Sequence, residues 1–225
     1  MFPSITAHPH LTFASHFPTF PHMKIYNHPL APNPRRLRVF VAEKGLKIPY
    51  QDIDILSGEN RKPEFLAKNP AGGIPVLELD DGTYLAESVA ICRYLEGLHP
   101  EPNLMGKNLR EQADIEMWQR RVELNLFAPV GRAFQHTSAL FAGRLNQIKE
   151  YGASQQAVAN QQMEWLDAQI GSRPFIAGDR YTIADITALV AVDFGTQMAG
   201  LSVNPALKNL TRWHTSVSSR PSAKA

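Results

Sequence analysis

Pro75 interrupts an apolar run that otherwise reads as a β-strand, Ile74-Pro75-Val76-Leu77, directly after the loop Asn69-Pro70-Ala71-Gly72-Gly73. Proline has no backbone N–H to give to a central ladder, so it marks the start of a strand, an edge or a special turn. An X-Pro bond reaches the cis form at modest cost. A cis bond between Ile74 and Pro75 would turn the N–H and C=O of Ile74 outward, where an extended peptide could pair with them. Two readings stand here: a peptide-binding edge, or a tight turn that binds nothing.

The next residues complete a hairpin and a helix start. Val76-Leu77-Glu78-Leu79 reads as a short strand, Asp80-Asp81-Gly82 carries the Asp-Gly turn signal, and Thr83-Tyr84-Leu85 resumes extended structure. Glu87-Ser88 then opens a helical run over residues 89–96. A serine at a helix start either caps the free N–H groups or joins them in holding a ligand carboxylate. Glu87 is either an ammonium partner or an acidic neighbour that suits the helix dipole. Together the pair fits the zwitterionic end of an amino acid.

Taken with Asn-Pro-x-Gly-x-Ile-Pro, this pattern resembles the glutathione S-transferase family, in particular bacterial members with an asparagine in the active-site loop. The resemblance runs from Met23 almost to the end of the chain. It implies an α/β thioredoxin-like N-terminal domain over residues 23–99, a linker at 100–108 and an all-α C-terminal domain over 109–225. The first strand is expected at Lys24-Ile25-Tyr26, a helix over residues 36–44 ended by Gly45, and a second strand over residues 50–55. By the same resemblance, the Ile74 backbone pairs with the cysteinyl part of glutathione across a cis Pro75. Glu87 and Ser88 would hold the γ-glutamyl group.

Composition sets the class. With 225 residues, 44% hydrophobic and 20% charged, the chain suits a globule of one large or two small domains. A net charge of +2 favours neither nucleic acid nor an anionic membrane as partner. No apolar run approaches the roughly 18 residues of a transmembrane helix. Cys92 is the single cysteine, which excludes a disulfide framework and a Cys-x-x-Cys pair and points to a reducing cytoplasm. On its helical run Cys92 reads as a buried, inert thiol. Residues 1–22 carry no charged side chain but four prolines and four histidines, and read as a disordered extension. They have neither the positive start nor the apolar core of a signal peptide. No metal site is expected, since the histidines have no carboxylate or cysteine beside them.

The second half reads as helices. Ile115, Trp118, Val122 and Leu126 recur at helical spacing, with Pro129 expected to kink or end the run. Ala159, Met163, Leu166 and Ile170 share one face of a helix over residues 155–170. Thr182-Ile183-Ala184-Asp185 resembles a capping box with Asp in place of Glu, opening a central helix over residues 184–198. Thr182 and Asp185 are folding residues, not catalytic candidates.

Chemistry belongs in the loop Asn27-His28-Pro29-Leu30-Ala31-Pro32-Asn33-Pro34-Arg35. A glutathione thiol, with a pKa of about 8.5, needs a donor and a helix N-terminus aimed at its sulfur to become a thiolate. Where the resemblance puts the usual Ser or Cys, this chain has Ala31, which has neither hydroxyl nor thiol. Two positions on, the amide of Asn33 can donate without acid–base chemistry, or Asn33 is turn chemistry between two prolines. Asn33 is the catalytic candidate and Tyr26, in the first strand, the reserve. The basic cluster Arg35, Arg36 and Arg38 invites either a bound anion or partner acids. Gly72 and Gly73 stand where the family often has a side chain for the glycyl end, leaving that contact to Arg61, Lys62 or Lys68. Met117, Trp118, Arg121 and Phe134 are candidates to line an electrophile pocket.

The resemblance thus implies a cytoplasmic homodimeric transferase using glutathione as co-substrate. Its thiol attacks a small hydrophobic electrophile or a disulfide, with disulfide or peroxide reduction as variants. The alternative is a non-catalytic interaction module of the same fold.

Overall fold

The computed structural model describes residues 23–225; the extension expected over residues 1–22 lies outside them. The first elements are β1 (Lys24–Asn27), α1 (Pro32–Glu43), β2 (Tyr50–Asp52), α2 (Pro63–Leu66), β3 (Val76–Glu78), β4 (Tyr84–Ala86) and α3 (Ser88–Leu98). The strands form one sheet in the order β2-β1-β3-β4, with β1 parallel to β2 and antiparallel to β3. This is the thioredoxin-like arrangement.

Alternation along the strands divides the side chains between two layers. Ile25 opposes Leu77 in the β1–β3 register, and both join the main core with Leu37, Phe40, Ile91 and Leu95 of α1 and α3. Tyr26 opposes Val76, and these face the other way into a small cluster with Ile53 and Phe65. β2 stops at Asp52, short of the expected residue 55, because the Asp54 carboxylate accepts the N–H groups of Leu56 and Ser57 (both 3.0 Å) and turns the chain.

Helix α1 begins at Pro32, four residues before the expected start. Pro32 and Pro34 read from the sequence as turn residues. Both fall in the first turn, where an N–H has no intrahelical partner, so a missing one costs the helix nothing.

The helical half comprises α4 (Leu109–Val122), α5 (Ala128–Thr137), α6 (Lys149–Ile170), α7 (Ile183–Met198) and α8 (Lys208–Ser218). Pro129 neither ends nor breaks the first of these. A π-helical turn over Glu123–Phe127 joins α4 to α5, with the Ala128 N–H bonded to the Glu123 carbonyl five residues back. α7 is buried nearly all round and is the axis of this half.

Its start is fixed by the expected box. One Asp185 oxygen accepts the Thr182 N–H (2.9 Å) and hydroxyl (3.1 Å), and the other accepts Ile176 N–H and Trp213 Nε1–H, both at 2.9 Å. Burial pushes the Asp185 carboxyl up to about 6 although all four of these groups are donors. One carboxylate thus joins α7, α8 and the loop between α6 and α7.

Two more polar clusters fix the connection after α3 and the C-terminal segment. Lys44 at the end of α1 pairs with buried Glu96 of α3 and donates to the carbonyls of His99 and Pro102 (2.7 Å each). Glu96 in turn accepts from Leu104 N–H (3.0 Å) and Met105 N–H (3.2 Å), so the connection after α3 is clamped rather than loose. Near the C-terminus, Arg220 grips Glu43 of α1 through two nitrogens (2.8 and 2.7 Å), and Ser222 donates to the same carboxylate. Among the described residues no helix is long and apolar enough to cross a membrane.

Both the Asp185 cap and the Glu43 tie can be tested by substitution. Asp185→Ala removes a cap and strands two buried donors, and should cost about 3 kcal/mol or more in urea unfolding. A loss within about 0.5 kcal/mol, typical of an exposed site, would contradict the assignment. At Glu43, burial works to raise the carboxyl, but Arg220 and Ser222 overcome it and the net shift is downward from 4.5. The stability it contributes is therefore full above pH 4.5 and lost as the pH falls through the lower native value. Glu43→Gln should cost about 1–2 kcal/mol at neutral pH and make the remaining stability less acid-sensitive. Parallel stability–pH curves for the two proteins would refute this.

Candidate functional site

The loop before β3 is held by its own polar groups. Asn69 is buried; its amide donates to the Gly73 carbonyl (2.9 Å) and its oxygen accepts the Ala71 N–H (3.2 Å). Asn60 donates to the Gly72 carbonyl (2.7 Å). Gly72 has φ +64°, and a Cβ there would sit 2.8 Å from Arg61 Nη1 and 2.9 Å from the Asn60 carbonyl, so only glycine fits. The bond between Ile74 and Pro75 is cis. The Ile74 side chain packs on the Tyr26, Ile53, Phe65 and Val76 cluster, while its N–H and C=O have no hydrogen-bond partner among the described residues.

Of the cations considered for this loop, Arg61 lies against it, donating to the Ala71 carbonyl (3.1 Å). Lys68 is turned to the Tyr84 hydroxyl (3.1 Å) and over the Tyr26 ring.

β3 and β4 lead into Glu87 and Ser88. Glu87 has φ +68° and is the sole non-glycine residue with positive φ among the described residues. Such a conformation costs an ordinary residue on the order of 1 kcal/mol or more and is held only by its surroundings. The Glu87 side chain is exposed, and its carbonyl accepts the Ile91 N–H to start α3. Ser88 is the first residue of α3 and is buried; the cap position is Glu87, which makes no side-chain capping bond, and the hydrogen bond of the Ser88 hydroxyl among the described residues is with Arg36. The capping role weighed for Ser88 is thus not the one it plays.

Its partner comes from α1. Arg36 Nη1 lies 3.0 Å from Ser88 Oγ and 3.0 Å from Glu123 Oε1. The Arg36 side chain is 1% exposed, and its guanidinium rests 4.4 Å from the centre of the Phe127 ring. Burial lowers its pKa, against the pull of Glu123. The other two arginines of the cluster are also engaged. Arg35 pairs with Asp193 of α7 (2.7 Å), and Arg38 donates to Asn27 Oδ1 (2.8 Å) and to the carbonyls of His28 (3.1 Å) and Pro29 (2.8 Å). Partner acids therefore answer Arg35 and Arg36, and neutral oxygens of the loop answer Arg38.

At the mouth of α1 the helix cap is Ala31, which offers no side-chain bond. Proline at the first and third helical positions leaves the Asn33 N–H as the one unbonded amide of the first turn, since the Arg35 N–H already reaches the Ala31 carbonyl (3.1 Å). The Asn33 side chain is exposed. Asn33 thus presents two kinds of donor at the positive end of a helix.

Tyr26, the reserve candidate, is committed elsewhere. Its hydroxyl donates to Glu78 Oε2 (2.6 Å), and burial foremost raises its pKa. Cys92 is buried and its thiol is pushed up by burial, as befits an inert group. Among the proposed lining residues, Trp118 belongs to the core of the helical half, against Trp165 at 5.9 Å. Phe134 is half-buried between Phe141 and Phe194, and Met117 is exposed. Glu123 and Phe127 are not among the residues that the sequence singles out; the one available signal is the uncompensated basic cluster on α1, which requires acids from somewhere.

Known proteins share both halves of this arrangement. The family model "Glutathione S-transferase, N-terminal domain" matches residues 31–98, and "Glutathione S-transferase, C-terminal domain" matches residues 125–221. Glutathione S-transferase 2 of Saccharomyces cerevisiae is 39% identical over 206 residues, covering 90% of this chain and 88% of its own. Glutathione S-transferase F10 of Arabidopsis thaliana is 30% identical over 202 residues, with 87% and 92% coverage. The crystal structure of Gtt2 from Saccharomyces cerevisiae superposes with a TM-score of 0.85 at 40% identity, covering 89% of this chain and 98% of that one. With both halves matched by its models and a relative 39% identical over 90% of this chain, the chain belongs to the glutathione S-transferase family.

Proposed function

We propose that the protein is a glutathione transferase that binds the tripeptide in extended form and activates its thiol at Asn33. The observation that carries the reading is the presence of free Ile74 main-chain groups in the same domain as a Ser88 hydroxyl bonded to Arg36. The cysteinyl unit pairs with Ile74 N–H and C=O as an added strand would. The γ-glutamyl carboxylate meets Ser88 and the first amides of α3, and its ammonium meets exposed Glu87.

The sulfur then lies at the N-terminus of α1. Ala31 supplies no donor, so activation falls to the Asn33 amide and N–H together with the helix dipole. These groups favour the thiolate over the thiol without taking up a proton themselves, so the proton leaves to solvent. The thiolate attacks an electrophilic carbon and expels its leaving group, or attacks a disulfide and releases one thiolate. Arg144, in the segment after α5, donates to the Leu56 carbonyl (2.5 Å). The same segment exposes apolar Leu140 and Leu145, a setting for a hydrophobic second substrate. A homodimer belongs to this reading and would show as a doubled mass in light scattering.

Calorimetry with glutathione tests binding, and turnover of a chlorinated aromatic against 2-hydroxyethyl disulfide separates transferase from reductase. Asn33→Ala should lower kcat/KM by about tenfold or more, as loss of a charge-stabilising donor does. It should raise the bound thiol's pKa, so the loss is larger at about pH 6.5 than at about pH 9. An equal loss relative to wild type at both pH values, or no loss at either, would defeat the role given to Asn33. Glu87→Gly relieves the positive φ and should leave the fold up to about 1 kcal/mol more stable while weakening glutathione binding. A Glu87→Gly protein that binds glutathione undiminished would remove Glu87 from the site.

A further inference from the structure

Glutathione bound in this way puts an anion on Ser88. A guanidinium only donates, so at 3.0 Å from Arg36 Nη1 the Ser88 oxygen must be the acceptor. The Ser88 proton is then left to donate elsewhere, since the hydroxyl's hydrogen bond among the described residues is the one it accepts from Arg36. Nη1 carries two hydrogens, and the second goes to Glu123 Oε1.

Arg36 is an expensive way to fill that space. Its Nε and Nη2 are buried without a hydrogen-bond partner, a penalty that an apolar side chain of similar length would avoid. The helical half nevertheless grips it from two positions four residues apart. Glu123 opens the π-turn and Phe127 closes it, the one bonded to Nη1 and the other stacked on the guanidinium. Pro129 accounts for the turn: it has no N–H for the Asn125 carbonyl, and the Ala128 N–H reaches back to Glu123 instead.

Resting on the glutathione reading, we propose that Arg36 is a positioning residue for the anionic end of the ligand. Held by Glu123 and Phe127, it fixes the Ser88 hydroxyl with its proton facing the γ-glutamyl carboxylate. The helical half thereby sets a contact made by the thioredoxin-like half.

The test is a double-mutant cycle read by calorimetry with two ligands. One is glutathione; the other is 4-aminobutyryl-cysteinylglycine, which lacks the γ-glutamyl carboxylate. Ser88→Ala and Arg36→Met should each weaken glutathione about tenfold, the loss of one hydrogen bond to a charged group. The double variant should be within about twofold of Ser88→Ala alone, because coupled residues are not additive. The decarboxylated ligand should bind all of them within about twofold of wild type. Additive losses, or an equal loss for the ligand without the carboxylate, would overturn the relay and leave Arg36 a structural residue. If Arg36→Met does not fold, Arg36→Leu, which also removes every donor, carries the same cycle with the same outcomes, and failure of both to fold would leave Arg36 a structural residue and overturn the relay. A wild-type protein that fails to bind glutathione overturns the glutathione reading and the relay with it; a wild type that binds, with additive losses, overturns the relay alone.

Discussion

A buried positive charge on α1 is the constraint around which the two halves meet. Arg36 cannot be hydrated where it lies, so it must be answered by protein groups, and those come from α3 on one side and the π-turn on the other. Arg35, one residue earlier, reaches Asp193 of α7 in the same manner. Glu43, at the far end of α1, is taken by Arg220 from the C-terminal segment. Arg35, Arg36 and Glu43 of this one helix therefore each take a charged partner from the helical half.

The open edge at Ile74 depends on similar economy of partners. Two asparagines, Asn60 and Asn69, satisfy the loop carbonyls of Gly72 and Gly73, leaving Ile74 with its side chain packed and its main chain open. Glu87 is held at a backbone angle an ordinary residue avoids, at the point where β4 turns into α3. Packed side chains with open main chain, and a strained residue beside them, are what a preorganised peptide site requires.

Much of this is legible in the chain. Pro75, the Asp-Gly turn and Glu87-Ser88 mark the hairpin and the helix start, because each is a local rule of backbone chemistry. Thr182 and Asp185 mark the cap of α7 for the same reason. The start of α1 is misplaced in the sequence because proline reads as a breaker until it is known to stand in a first turn. The role of Arg36 is out of reach, since Glu123 lies 87 residues away and no local pattern links the two. Trp118 falls inside the core for a comparable reason: helical spacing names a buried face but not which neighbour covers it. Pro129 reads as a stop, whereas a wider turn lets the helix run through it.

The two prolines at the mouth of α1 have a consequence for how such a site can diversify. They strip the helix end of competing amides and leave a single position, 33, speaking for it. No hydrogen bond, ion pair or core contact of the described fold leans on the Asn33 side chain. An exposed position at a helix N-terminus that bears no weight in the architecture can be exchanged without collapse. In this scaffold the reaction chemistry is free to drift there while the framework stays put.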